Sequence, residues 1–119
     1  MSGSQKLLKV FGVFELLIAV YYVFLGIADG NVAAFGSAAL YLVAAFLLFA
    51  AAKDATKAGG AWLITLVDLV LSIVELVLAV SGGADETALV GGSIATVLNL
   101  IAFIAANNVK RQGKRQNHM

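Results

Sequence analysis

The chain has 119 residues, 61% of them hydrophobic and 13% charged, with a mean hydropathy of +0.96 and a formal net charge of +1. This excludes a disordered chain and an ordinary water-soluble domain, whose charged fraction lies nearer a quarter. A chain this short could not bury so much apolar surface in its own core. Cysteine and proline are absent, which excludes disulfides, thiolate metal sites, cysteine nucleophiles and proline kinks.

Apolar runs cover residues 7–28, 32–52, 61–81 and 88–107. Each is about 20 residues, the length that crosses a ~30 Å hydrocarbon core at 1.5 Å per residue. They predict an all-α polytopic membrane protein: four transmembrane helices in one domain over 1–108, with a basic tail at 109–119. The connections are short, so sequential helices run antiparallel as an up-down-up-down bundle. Gly30, Gly59 and Gly82 suit helix C-terminal ends, and Asn31, Asp85 and Thr87 suit the caps that follow. The first run resembles a signal sequence in its leading Lys6 and Lys9, but it is span-length and the second run begins almost at once, so it reads as an uncleaved helix.

All eight basic residues fall on one side: Lys6, Lys9, Lys53, Lys57, Lys110, Arg111, Lys114 and Arg115. The other two connections hold only Asp29, Asp85 and Glu86. The positive-inside rule therefore places both termini in the cytoplasm, with the chain in a bacterial cytoplasmic membrane. The basic tail, which could also be read as a nucleic-acid or anionic-lipid patch, reads first as this topology signal. His118, alone in that tail, has no metal partners.

The two halves read as a duplicated hairpin. Residues 14–20 (Phe-Glu-Leu-Leu-Ile-Ala-Val) lie over 67–73 (Val-Asp-Leu-Val-Leu-Ser-Ile), acid on acid and small on small. Each repeat starts and ends on the same side, which makes the two parallel repeats, related by an axis along the membrane normal.

Three of the seven acids lie within the spans: Glu15 in the first, Asp68 and Glu75 in the third. No Lys, Arg or His shares their depth. An intramembrane acid costs about 2.5–3.5 kcal/mol on insertion scales, so it is a functional candidate by default. Helical phase puts Thr65, Asp68, Ser72, Glu75 and Ala79 on one stripe, and Gly12, Glu15, Ala19, Tyr22 and Gly26 on another. Gly92, Thr96, Asn99, Phe103 and Ala106 make the fourth-helix stripe; Ser37, Tyr41, Ala44 and Ala45 make that of the second. Such small and polar faces pack against other helices, while Leu, Val, Ile and Phe meet lipid. The carboxylates are therefore expected inside the bundle or at a subunit interface, near Asn99 and the Tyr22 and Tyr41 hydroxyls.

Two roles fit. The carboxylates are proton or cation sites where binding the ion and losing the proton are linked, or they are neutral acids bonding across helices alongside Ser72, Thr96 and Asn99. Glu75, nearer the surface, is the one expected to be hydrated. Gly12 reads as a packing notch and Trp62 as an interfacial anchor. No nucleophile-and-base set, metal spacing or phosphate loop is present, so neither an enzyme nor a cofactor is expected.

A chain of this length with four spans and Glu15 in the first helix resembles the small multidrug resistance transporters. In that family the first-helix glutamate is the shared proton and cation site, a role the resemblance places on Glu15. It rests on this residue alone. Proline is missing, the third helix is not glycine-rich, and the charge bias opposes the inverted dimers of that family. The likeness is one of chemistry. The function expected from sequence is thus a non-enzymatic helix-packing or assembly component, as a homo-oligomer or in a larger membrane complex. The alternative is a proton- or cation-coupled small transporter or ion-conducting oligomer.

Overall fold

A computed structural model describes residues 2–117; His118 lies outside them. The described chain is all helical: α1 (Gly3–Asp29), α2 (Val32–Lys53), a single 3-10 turn (Ala55–Lys57), α3 (Ala58–Ser81) and α4 (Glu86–Asn117). All four α-helices are long and apolar enough to cross a membrane.

Local chemistry sets the boundaries. Ser2 and Gln5 form a capping box: the Gln5 amide donates to Ser2 Oγ, and the Ser2 amide donates to Gln5 Oε1. α1 ends at Gly30, whose φ of 62° is the left-handed conformation that favours glycine. Asn31 then caps α2 by accepting from the Ala33 amide, and Asp85 caps α4 by accepting from the Ala88 amide. Thr87 sits inside α4 and caps nothing.

Gly59 departs from expectation: it lies in the first turn of α3, not at a helix end. Asp54 does the stopping instead. Its extended backbone ends α2, and its carboxylate accepts from the Thr56 hydroxyl and amide. Those bonds, the hydroxyl's above all, hold the Asp54 carboxyl below its usual range.

The largest departure is α4. It does not stop near Asn107 but continues helically through the basic segment to Asn117. Contact explains this. Val109 is fully buried, and Gly113 lies against the Ala55 carbonyl, so the extension packs on the turn between α2 and α3.

α1 pairs most extensively with α2, and α3 with α4, giving two antiparallel hairpins. The first hairpin is tight along its whole length. Phe49 lies over Gly12 and Phe35 over Gly26, so closely that a Cβ at either glycine would come within 3.0 Å of the ring. Gly12 is thus the notch expected. Tyr22 of α1 and Tyr41 of α2 stack between these points, with ring centroids 5.5 Å apart.

The hairpins meet each other at one end only. Leu8, Leu48, Ala51, Ala52, Ala55, Ala58, Ala61, Ala105, Ala106 and Val109 form one buried cluster, all from the end that bears the basic residues. Alanine side chains let four backbones converge there. In α3 the buried residues are Ala58, Ala61 and Thr65, all within its first eight. Beyond Thr65 the hairpins diverge. Their outer faces carry the exposed Leu, Val, Ile and Phe side chains expected against lipid.

Gln5 bridges the closed end. Its Nε2 donates to the Ala51 and Ala52 carbonyls, and its Oε1 accepts from Gln112 Nε2. One side chain thereby joins α1, α2 and α4. Trp62 lies between Phe103 and Lys110, whose ammonium sits 4.0 Å from the indole centroid.

Candidate functional site

Where the hairpins diverge they leave a crevice of about 400 Å³. α1 supplies Phe11, Phe14, Glu15 and Ile18, and α2 supplies Tyr41. α3 supplies Asp68, Leu71, Ser72 and Glu75, and α4 supplies Ala95, Leu98 and Asn99. All three intramembrane carboxylates therefore reach one space, from both hairpins.

Depth follows from helix position. Glu15 is the thirteenth of 27 residues in α1 and Asp68 the eleventh of 24 in α3, so both lie about 15–18 Å from the start of their helices. Counted from the start of the apolar runs at Leu7 and Ala61, both lie about 11–12 Å into the hydrocarbon, at the same depth in the part of the membrane nearer the basic end. Glu75 is two turns further on toward the acidic end, and exposed. A smaller cavity of about 190 Å³, lined by Ser72, Glu75, Leu76, Ala79 and Gly92, continues from there toward the acidic end between α3 and α4. The crevice thus runs from the depth of Glu15 and Asp68 toward the end opposite the closed alanine cluster.

Glu15 and Asp68 lie within electrostatic reach of each other, and Tyr41 within reach of Glu15, Asp68 and Glu75. Glu15 Oε2 is fully shielded and has no hydrogen-bond partner among the described residues. A buried carboxylate oxygen ordinarily has one, and leaving it without costs about 1–3 kcal/mol or more. The bonds that do cross between helices use other groups. Asn99 donates to Ser72 Oγ and ties α4 to α3, while Gln5, Asn108 and Gln112 serve the basic end.

The supporting residues divide. Tyr41, Ser72 and Asn99 line the crevice as expected. Tyr22 stacks behind Tyr41 and backs the wall instead of lining it. Thr96 does not bond across helices: its hydroxyl donates to the Gly92 carbonyl one turn back in its own helix. Phe11 and Phe14 were not singled out by sequence, because a phenylalanine on a membrane helix ordinarily meets lipid. The four-residue spacing of Phe11 to Glu15 is the signal that could have drawn it in, with Phe14 three residues on from Phe11.

Among the described residues, no group of three or more His, Cys, Asp or Glu is close enough to hold a metal ion. The three acids line a shared space without forming a coordination shell. In comparison with known proteins, the chain matches no family model, no curated protein and no solved structure.

Proposed function

We propose that this chain binds a small organic cation in the intramembrane crevice in exchange for protons, as a proton-coupled carrier. One observation carries the reading: Glu15 and Asp68, from different hairpins, line a single cavity, and one buried Glu15 oxygen has no hydrogen-bond partner among the described residues. An ammonium or similar group supplies what that oxygen lacks. Spread acids suit a cation larger than a coordinated metal, and about 400 Å³ falls in the range of small-molecule sites. The faces of Phe11, Phe14 and Tyr41 offer cation–π contact to its body.

Proton coupling follows from depth. Carrying two bare carboxylates within the hydrocarbon is expensive, so release of the cation is balanced by uptake of protons. If the halves are a duplicated hairpin, Glu15 and Asp68 are equivalent positions, one acid contributed by each repeat. With the basic end in the cytoplasm, the closed alanine cluster faces inward and the crevice opens outward.

The assembly reading has one observation of its own. Gly91 and Ala95, one turn apart, are exposed on α4, a small-residue face that a second helix could approach. It accounts for α4 but not for the grouping of acids.

The test is flux. Proteoliposomes holding the full chain are given labelled tetraethylammonium with an imposed pH gradient. Uptake several-fold above empty liposomes, reversed in direction when the gradient is reversed, is the expected result. Uptake equal to empty liposomes under both gradients would sink the carrier reading.

A further inference from the structure

The basic end holds a second concave site, separate from the crevice. Because α4 outlasts its apolar span, it carries Arg111 and Arg115, one turn apart on one face, up beside the start of α1. With Ser2, Ser4, Asn108 and Gln112 they line a cavity of about 540 Å³. Among the described residues, every side chain around it is polar and none is a carboxylate. A neighbouring cavity of about 640 Å³ shares Gln112 and adds Lys9 and Lys53 above an apolar floor of Phe49 and Ala52. Its one acid, Asp54, is engaged by Thr56.

Position matters as much as charge. Gly3 precedes the apolar run at Leu7 by four residues, and Arg111 follows its end at Asn107 by four. Both therefore stand about 6 Å outside the hydrocarbon, at the level of lipid headgroups. Orientation alone asks only that basic residues lie on one side; it does not ask two arginines to converge on a pocket with two serines. Lys110, by contrast, is turned to the Trp62 ring.

We propose that this cavity binds the phosphate of an anionic phospholipid. The Arg111 and Arg115 guanidiniums present planar paired donors to the phosphate oxygens. Ser4 Oγ accepts from Asn108 Nδ2, which leaves its own proton free to donate to a third oxygen. Lys9 and Lys53 hold the remaining headgroup charge, and the Phe49–Ala52 floor leads to the acyl region. Basic pockets between helices at this level are suited to such headgroups.

The test uses the full chain in uncharged detergent, with phosphatidylglycerol, phosphatidylcholine or inorganic phosphate added separately. Binding is read by native mass spectrometry and by the melting temperature. Phosphatidylglycerol is expected to bind and raise the melting temperature, with phosphatidylcholine well behind. Arg111→Gln/Arg115→Gln is expected to weaken that binding at least about tenfold, equivalent to about 1.4 kcal/mol. The control Lys6→Gln/Lys57→Gln removes the same charge from exposed positions outside both cavities, and is expected to leave binding within about twofold, under 0.5 kcal/mol. An equal loss in both double variants would overturn the site in favour of diffuse surface charge. Arginine-dependent binding of inorganic phosphate as tight as that of the lipid would overturn the lipid assignment.

Discussion

Glu15→Gln is expected to weaken binding of tetraethylammonium by about 10- to 100-fold, or about 1.4–2.7 kcal/mol, with helical content unchanged. The magnitude follows from the setting. A carboxylate and a cation about 4 Å apart attract by about 4 kcal/mol at an effective dielectric near 20, and desolvating both offsets part of that gain. Glutamine keeps the size of the side chain and removes the charge. Because Glu15 Oε2 has no partner among the described residues, the replacement breaks no bond the fold uses. Asp68→Asn is expected to cost a similar amount. The double variant should lose less than the sum, since the two acids serve one ligand. Glu75→Gln, exposed near the acidic end, is expected to change affinity by less than about threefold, under 0.7 kcal/mol. Titration calorimetry on the purified chain measures all four. An assembly role for the acids predicts the opposite pattern: lower melting temperatures or altered oligomers, with no cation binding to lose.

Gly113→Val is expected to destabilise the chain by about 1–3 kcal/mol, the usual cost of forcing atoms into a packed site. A Cβ at Gly113 would overlap the Ala55 carbonyl and press on Thr56 Cα, which are backbone atoms with no rotamer to give way. The end of α4 must then lift off the turn at Ala55–Lys57. Hydrogen exchange should rise there and in residues 110–115, while α1 and α2 near Gly26 and Phe35 stay protected. Gly36→Ala is the control: nothing lies within 4 Å of a Cβ there. In mid-helix it should be neutral or stabilising by up to about 1 kcal/mol. Equal melting temperatures for Gly113→Val and Gly36→Ala would show that the α4 extension is not held against the turn.

Much of this arrangement is written in periodicity. The stripe through Gly12, Glu15 and Ala19 and the stripe through Asp68 and Ser72 both turn inward, because three- and four-residue spacing fixes a helix face whatever the solvent. Span number follows as directly, since length and apolarity decide it. The end of α4 is different. Residues 108–117 hold four basic and four uncharged polar side chains, a composition that resembles a solvated tail, and only the seat against Ala55 makes it a packed helix.

Gln5 is hidden for a related reason. Its partners are backbone carbonyls of Ala51 and Ala52, groups every residue has, so no side-chain pattern announces them. The divergence of the hairpins does leave a trace, in the alanines gathered at the basic ends of α2, α3 and α4 against the Val and Leu that fill α3 beyond Thr65. Reading it requires comparing residue volume end to end, which helical phase does not do. Phe11 and Phe14 became crevice walls only through that divergence.

The central claim is that cation binding and proton release are one event at Glu15 and Asp68. The most direct measurement adds tetraethylammonium to the full chain in weakly buffered detergent and records protons released with a pH indicator, at a series of pH values between about 5 and 8. The expected result is net release on binding, with affinity falling as the medium is acidified because protons compete for the same oxygens, and no release from Glu15→Gln/Asp68→Asn. Binding that releases no proton anywhere in that range, or release that survives the double substitution, would contradict it.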